Sequence, residues 1–122
     1  MTHICSDSTY TPTLTGVTNI DTATATPCHY IRTGDIVTVA GKINFSLNST
    51  GAFEIGISLP PAHPSKFTND YQCSGTVAGA GHNEYPSHIQ ADVANNRATM
   101  LGNDNDTSSH DHFFTFTYII IP

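Results

Sequence analysis

Ionised side chains are scarce in this chain. Only 11% of its 122 residues are Asp, Glu, Lys or Arg, against about 25% in an average soluble protein. Lys and Arg together number four, too few for the basic stripe that a nucleic-acid backbone requires. The net charge of -6 also argues against an anionic membrane surface. Long apolar runs are missing as well. The longest is Ile119-Ile120-Ile121, far short of the roughly 20 residues of a membrane span. Met1-Thr2-His3-Ile4-Cys5 has neither the basic start nor the apolar stretch of a secretion signal. Folding in a cytosol is the expectation.

The motifs of chemistry are also wanting. Three cysteines (Cys5, Cys28 and Cys73) make an odd number with no CxxC, which does not describe a disulfide framework. Cys28 and Cys73 sit in strand-like contexts and read as small buried side chains, although a bridge between them formed after release stays open. Seven histidines are present, but there is no GxSxG and no HExxH, and Glu54 and Glu84 are the sole glutamates. A non-enzyme without cofactor is therefore expected.

No window carries the i, i+3, i+4, i+7 apolar spacing of a capped helix. What the chain has instead is strand alternation at short intervals, broken by turn residues. Candidate strands are 9–14, 27–33, 36–45, 53–59, 72–80, 87–93, 97–101 and 113–121. Val37, Val39, Ile43 and Phe45 share one face, opposite Thr38, Lys42 and Asn44, the pattern of a half-buried strand. Phe53, Ile55, Ile57 and Leu59 repeat it. Phe114, Phe116, Tyr118 and Ile120 face one way, with Phe113, Thr115, Thr117, Ile119 and Ile121 opposite. Apolar residues on both sides imply a central strand, or one covered by another subunit. Between the second and third candidates, Gly34 supplies the positive φ of a tight hairpin, and Arg32 is placed to hold it. Asn95-Asn96 reads as a short turn, and Pro60-Pro61-Ala62-His63-Pro64 as an extended surface loop. The reading is an all-β antiparallel sandwich, jelly-roll-like, of about eight strands (residues 10–122) with a short N-terminal arm (residues 1–9). An open sheet of this kind has edges with few charges to guard them, so a homo-oligomer is expected.

Three weak site patterns remain. His110 and His112 lie two apart, so an extended chain turns them to one side, where a zinc or nickel ion could sit. A solvent-facing or interface role is the simpler account. Asn103-Asp104-Asn105-Asp106 has the composition of a calcium loop but lacks its later Gly and Glu. Tyr71, His82 and Tyr85, near a Gly-rich stretch, offer a surface on which a sugar could stack, against plain edge packing.

Several pieces occur in order along nearly the whole chain. They are Thr11-Pro12-Thr13-Leu14-Thr15, then Cys28-x-Tyr30-x-Arg32-x-Gly34 before Val37-Thr38-Val39-x-Gly41-Lys42. Gly56-Ile57-Ser58-Leu59-Pro60, Cys73-x-Gly75-Thr76, Asn96-Arg97-Ala98-Thr99 and Phe114-Thr115-Phe116-Thr117-Tyr118 follow. Together they resemble the β-sandwich module of tailed-bacteriophage virion proteins, which often forms the end of tail fibres and tailspikes. Those modules share no catalytic residues, so none is carried over; the resemblance gives Arg32 a structural role in its hairpin and implies a homotrimer. Met1 stands only nine residues before the module, so no shaft is expected. The expectation is a capsid decoration, or cement, protein on the virion surface, with the major capsid protein as partner. Thr2, His3, Ile4, Cys5 and Ser6 would be its anchor. The competing expectation is a tail receptor-binding tip that recognises a host surface glycan, and a free carbohydrate-binding protein comes third.

Overall fold

The computed structural model describes residues 8–79 and 87–122. They form β1 (Ser8–Tyr10), β2 (Leu14–Thr18), β3 (Ile20–Ala25), β4 (Cys28–Thr33), β5 (Ile36–Leu47) and β6 (Gly51–Ile57). After a 3₁₀ turn (Asp70–Gln72) come β7 (Cys73–Gly79), β8 (His88–Asp92), β9 (Arg97–Asp104) and β10 (His110–Ile119). Every pairing is antiparallel. The order is β1-β4-β5-β10-β7-β8-β9-β6-β2, with β3 pairing β5. The fold is all-β, as the alternation predicts. Its single ladder curls into a half-barrel, and the facing walls meet as the layers of a sandwich would.

Alternation decides what enters the interior. Val37, Val39, Ile43 and Phe45 from β5 and Phe114, Phe116 and Tyr118 from β10 are buried. Phe53, Ile55 and Ile57 from β6 meet them from the opposite wall, and Ile89, Ala91, Ala98 and Met100 complete one core. The Phe45 and Phe53 rings, 5.1 Å apart, join the two walls. Removing a side chain of this size from water contributes about 1.5–3 kcal/mol. The long β5 is the frame: its first half pairs β4, its second half pairs β3, and its other edge pairs β10 throughout. Strand β10 is therefore central, between β5 and β7. At Gly75 on β7, an added Cβ would collide with the Thr115 carbonyl oxygen and the Phe116 side chain, so only glycine lets β7 lie this close.

Among the described residues ten strands stand where about eight were expected, for local reasons. Residues 9–14 do not make one strand, because β1 ends at Tyr10 and β2 begins at Leu14. Pro12 between them has no N–H to give to a ladder. Ser8 and Thr9, assigned to the arm, pair with Tyr30 and His29. Strand β3 was not expected at all. Its Ile-Asp-Thr-Ala-Thr-Ala sequence has an exposed centre and no apolar alternation. It is held from outside, by β5 and by Asn19. Asn19 adopts φ 63°, and its amide donates to the Ser49 carbonyl (2.7 Å) and accepts from Ser49 N–H (3.0 Å). In the loop after β6, Pro61, Ala62 and Pro64 are exposed as expected, but its two ends turn inward. Pro60, Ser65 and Phe67 are buried. The Ser65 hydroxyl donates to the Ile119 carbonyl (2.7 Å) and accepts from Ile121 N–H (2.8 Å). This loop satisfies backbone groups at and past the end of β10, where Ile120 N–H still reaches the Asp35 carbonyl (2.8 Å).

Candidate functional site

The outward side chains of β4, β5, β10 and β7 line up in cross-strand rows. Ladder register places Thr33, Ile36 and Ile119 in one row, then Ile31, Thr38, Thr117 and Ser74. Next come His29, Ala40, Thr115 and Thr76, and last Lys42, Phe113 and Ala78. Phe113 is 48% exposed and Ile119 38%. Ile31 and Ile36 are exposed too, and Thr38 and Thr117 join their hydroxyls at 3.2 Å. From Ile36 to Ala40 and from Phe113 to Ile119, neither β5 nor β10 presents an ionised group. Charge stands at the ends. At one end Lys42 Nζ lies 3.9 Å from the Asp111 carboxylate and 6.0 Å from the centre of the Phe113 ring, while Asn44 donates to Asp111 (3.0 Å). At the other, Asp35 occupies the β4–β5 turn.

That second end opens into a groove of about 410 Å³ lined by Ile36, Tyr71, Ser74, Thr117, Ile119 and Ile121. Tyr71, 77% exposed, sits on the 3₁₀ turn at its rim. Gln72 fixes this turn: its side-chain oxygen accepts from Thr68 N–H (2.7 Å) and Asn69 N–H (3.0 Å), and its amide donates to the Thr68 hydroxyl (2.8 Å). The tyrosine is thus presented outward by a braced support.

The structure places the sequence-derived candidates as follows. Gly34 has φ +62° and nothing near its missing Cβ; a positive φ at the first of two turn residues is the type II′ hairpin pattern. Arg32 spans this turn, with Nε donating to the Gly34 carbonyl (2.7 Å) and Nη2 3.8 Å from Asp35. His110 and His112 do not converge. His112 is buried, with its ring stacked on Phe45 at 3.9 Å and 11°, and its Nδ1 donates to the His110 carbonyl (3.1 Å). His110 Nε2 turns to Asp106 instead (3.2 Å). Among the described residues no group of three His, Cys, Asp or Glu gathers around a possible metal position. The acidic loop bonds to itself. Asp104 is buried and accepts from Asp106 N–H (3.0 Å). Asp106 accepts from Ser108 N–H (2.8 Å), which holds its carboxyl below the usual range.

Cys28 and Cys73 are buried free thiols. Burial raises both, Cys73 to about 12. It raises the Tyr10 and Tyr118 hydroxyls as well, which donate to the carbonyls of Ser58 (2.8 Å) and His63 (2.6 Å). Thr2, His3, Ile4, Cys5 and Ser6, together with His82, Glu84 and Tyr85, lie outside the described residues. No family model, curated protein or solved structure matches the chain.

The exposed sheet face was only half visible in the sequence. The parity of Phe113 and Ile119 on β10 marked a second apolar side. Which strands extend that side depends on pairings between distant segments, such as Thr117 with Ser74, and no local pattern reports those.

Proposed function

We propose that this chain is a structural protein of a phage virion, a capsid decoration protein that binds the outside of the assembled shell and stabilises it. One observation carries the reading: the outer face of β5 and β10 displays Ile36, Phe113 and Ile119 among threonines, with ionised groups only at its ends. A sheet face left to water ordinarily carries polar and ionised groups, and several exposed apolar side chains on a face without ionised groups favour a surface for a partner. Depletion of charge at the centre with charge at the rim is the anatomy of a protein–protein contact. Self-association covers this face. The three-fold count and the capsid partner come from the resemblance to phage virion modules. Binding only the completed shell stabilises it by mass action.

The copy number on purified particles tests this reading. Hundreds per particle place the chain on the head, and a handful on the tail. Deleting residues 1–7, which stops short of β1, is expected to abolish shell occupancy and leave the oligomer intact; full occupancy by the truncated chain removes the anchor assignment.

A second reading, a tail receptor-binding tip for a host glycan, is favoured by Tyr71. An exposed aromatic ring on a braced turn beside hydroxyl-bearing Ser74 and Thr117 has the makings of a sugar-stacking site. Glycan-array binding lost on Tyr71→Ala supports that reading, and an empty array removes it.

A further inference from the structure

We propose that the outer face of β5 and β10 packs against the same face of a second copy of this chain, about a two-fold axis crossing the strands at the level of the Val39–Phe116 pair. This names the partner of the face on which the structural reading rests; it depends on that reading and replaces its three-fold count with a two-fold. The argument is one of register. Val39 pairs with Phe116, and the pairs Lys42–Phe113 and Ile36–Ile119 lie three residues to either side. An axis in the plane of the contact and perpendicular to the strands reverses each strand over its own counterpart. Phe113 of each copy then falls on Ile119 of the other, and Lys42 falls over Ile36 with its ammonium directed toward Asp35 of the other turn. A two-fold contact requires a patch that complements itself. Here the two large exposed apolar groups of β10 meet each other, twice, and the Lys42–Asp111 pair meets the Arg32–Asp35 pair of the other copy, also twice.

The other in-plane axis, along the strands, is poorer. It gathers both Lys42–Asp111 pairs at one end and both Arg32–Asp35 turns at the other, so that like charges adjoin like. Like charges brought together at a contact oppose it. Size sets the strength. Four strands about 4.8 Å apart and eight residues rising about 3.4 Å each span roughly 500 Å² per copy. That is near the roughly 600 Å² a partner contributes at the lower limit of specific interfaces. The expected dimer is therefore reversible, with a Kd on the order of 10 μM.

Sedimentation equilibrium of the wild-type chain and two variants tests the proposal. Phe113→Lys and Ile119→Asp alter exposed positions, so both are expected to keep the wild-type melting temperature. Each alone is expected to weaken the dimer at least about tenfold. Mixed one to one they are expected to pair again, because Lys at 113 of one chain faces Asp at 119 of the other while the second Phe113–Ile119 contact remains. A wild-type dimer with this pattern supports the two-fold. Dimers unaffected by either variant, or variants that fail to pair on mixing, overturn it. A variant with a lowered melting temperature is replaced by Phe113→Ser or Ile119→Thr, each of which must still weaken the dimer. A wild-type trimer also overturns the two-fold but leaves self-association standing, whereas a monomer at every concentration removes both.

Discussion

The two sides of β10 alternate residue by residue along one strand, yet they face different environments. Phe114, Phe116 and Tyr118 are sealed in the core, whereas Phe113 and Ile119 stand open. The inward side is defined by shape, since it packs on Phe67 and on its own neighbouring rings. The outward side is defined by what is missing, an ionised group between Phe113 and Ile119. The same residue type thus holds the fold on one side and, in our reading, joins subunits on the other. The difference teaches that apolar character alone does not identify core. The strand's position in the ladder, and what covers each of its sides, decides that.

The largest expected effect breaks the inward side. Phe116→Ala removes a ring that is only 1% exposed and is expected to destabilise the chain by about 3–5 kcal/mol, read as a shift in the urea midpoint. Alkali attacks the same side by another route. Burial raises the Cys73 thiol from 9.0 to about 12, so the unfolded chain releases this proton first. Stability is expected to be highest below pH 9 and to fall as pH rises toward 12, by up to about 1.4 kcal/mol per unit for this group. Cys28, Tyr10 and Tyr118 are raised by burial too and add to the decline in the same direction. Urea midpoints measured across that range check it, and Cys73→Ala should flatten the slope.

Next comes the closeness of β7 to β10. Gly75→Ala drives a methyl into the Thr115 carbonyl and the Phe116 side chain, and a loss of about 1–3 kcal/mol is expected. Gly34→Ala is smaller, about 1 kcal/mol. Its Cβ meets nothing, so the cost is that of φ +62° alone, and Gly34→Asn should recover part of it. Smallest is Phe113→Ser on the outward side, expected to leave chain stability within about 0.5 kcal/mol while weakening self-association. A loss comparable to that of Phe116→Ala would erase the distinction between the two faces.

Strands with one wet and one dry side could be read from the sequence. Strands β5, β6 and β10 carry bulky residues at alternate positions (Val37, Val39, Ile43 and Phe45; Phe53, Ile55 and Ile57; Phe114, Phe116 and Tyr118), and the structure buries those residues. Strand β3 could not be read, because Thr and Ala on an exposed edge leave no contrast between faces. The break at Pro12 was legible only in part: proline marked a weak ladder position but did not reveal that the chain would cross from β4 to β6 on either side of it. The His110–His112 spacing put both on one side of β10, as the register has it, but their rings turn to different neighbours, His112 to Phe45 and His110 to Asp106. The support of Tyr71 and the Ser65 clamp lie in hydrogen bonds of loops whose residues are individually ordinary.

The most direct measurement is the solution mass of the wild-type chain as a function of concentration. An exposed face built for contact predicts a mass that rises above the 13.1 kDa of one chain within the micromolar range and falls back on dilution. A constant 13.1 kDa up to the solubility limit would contradict the account.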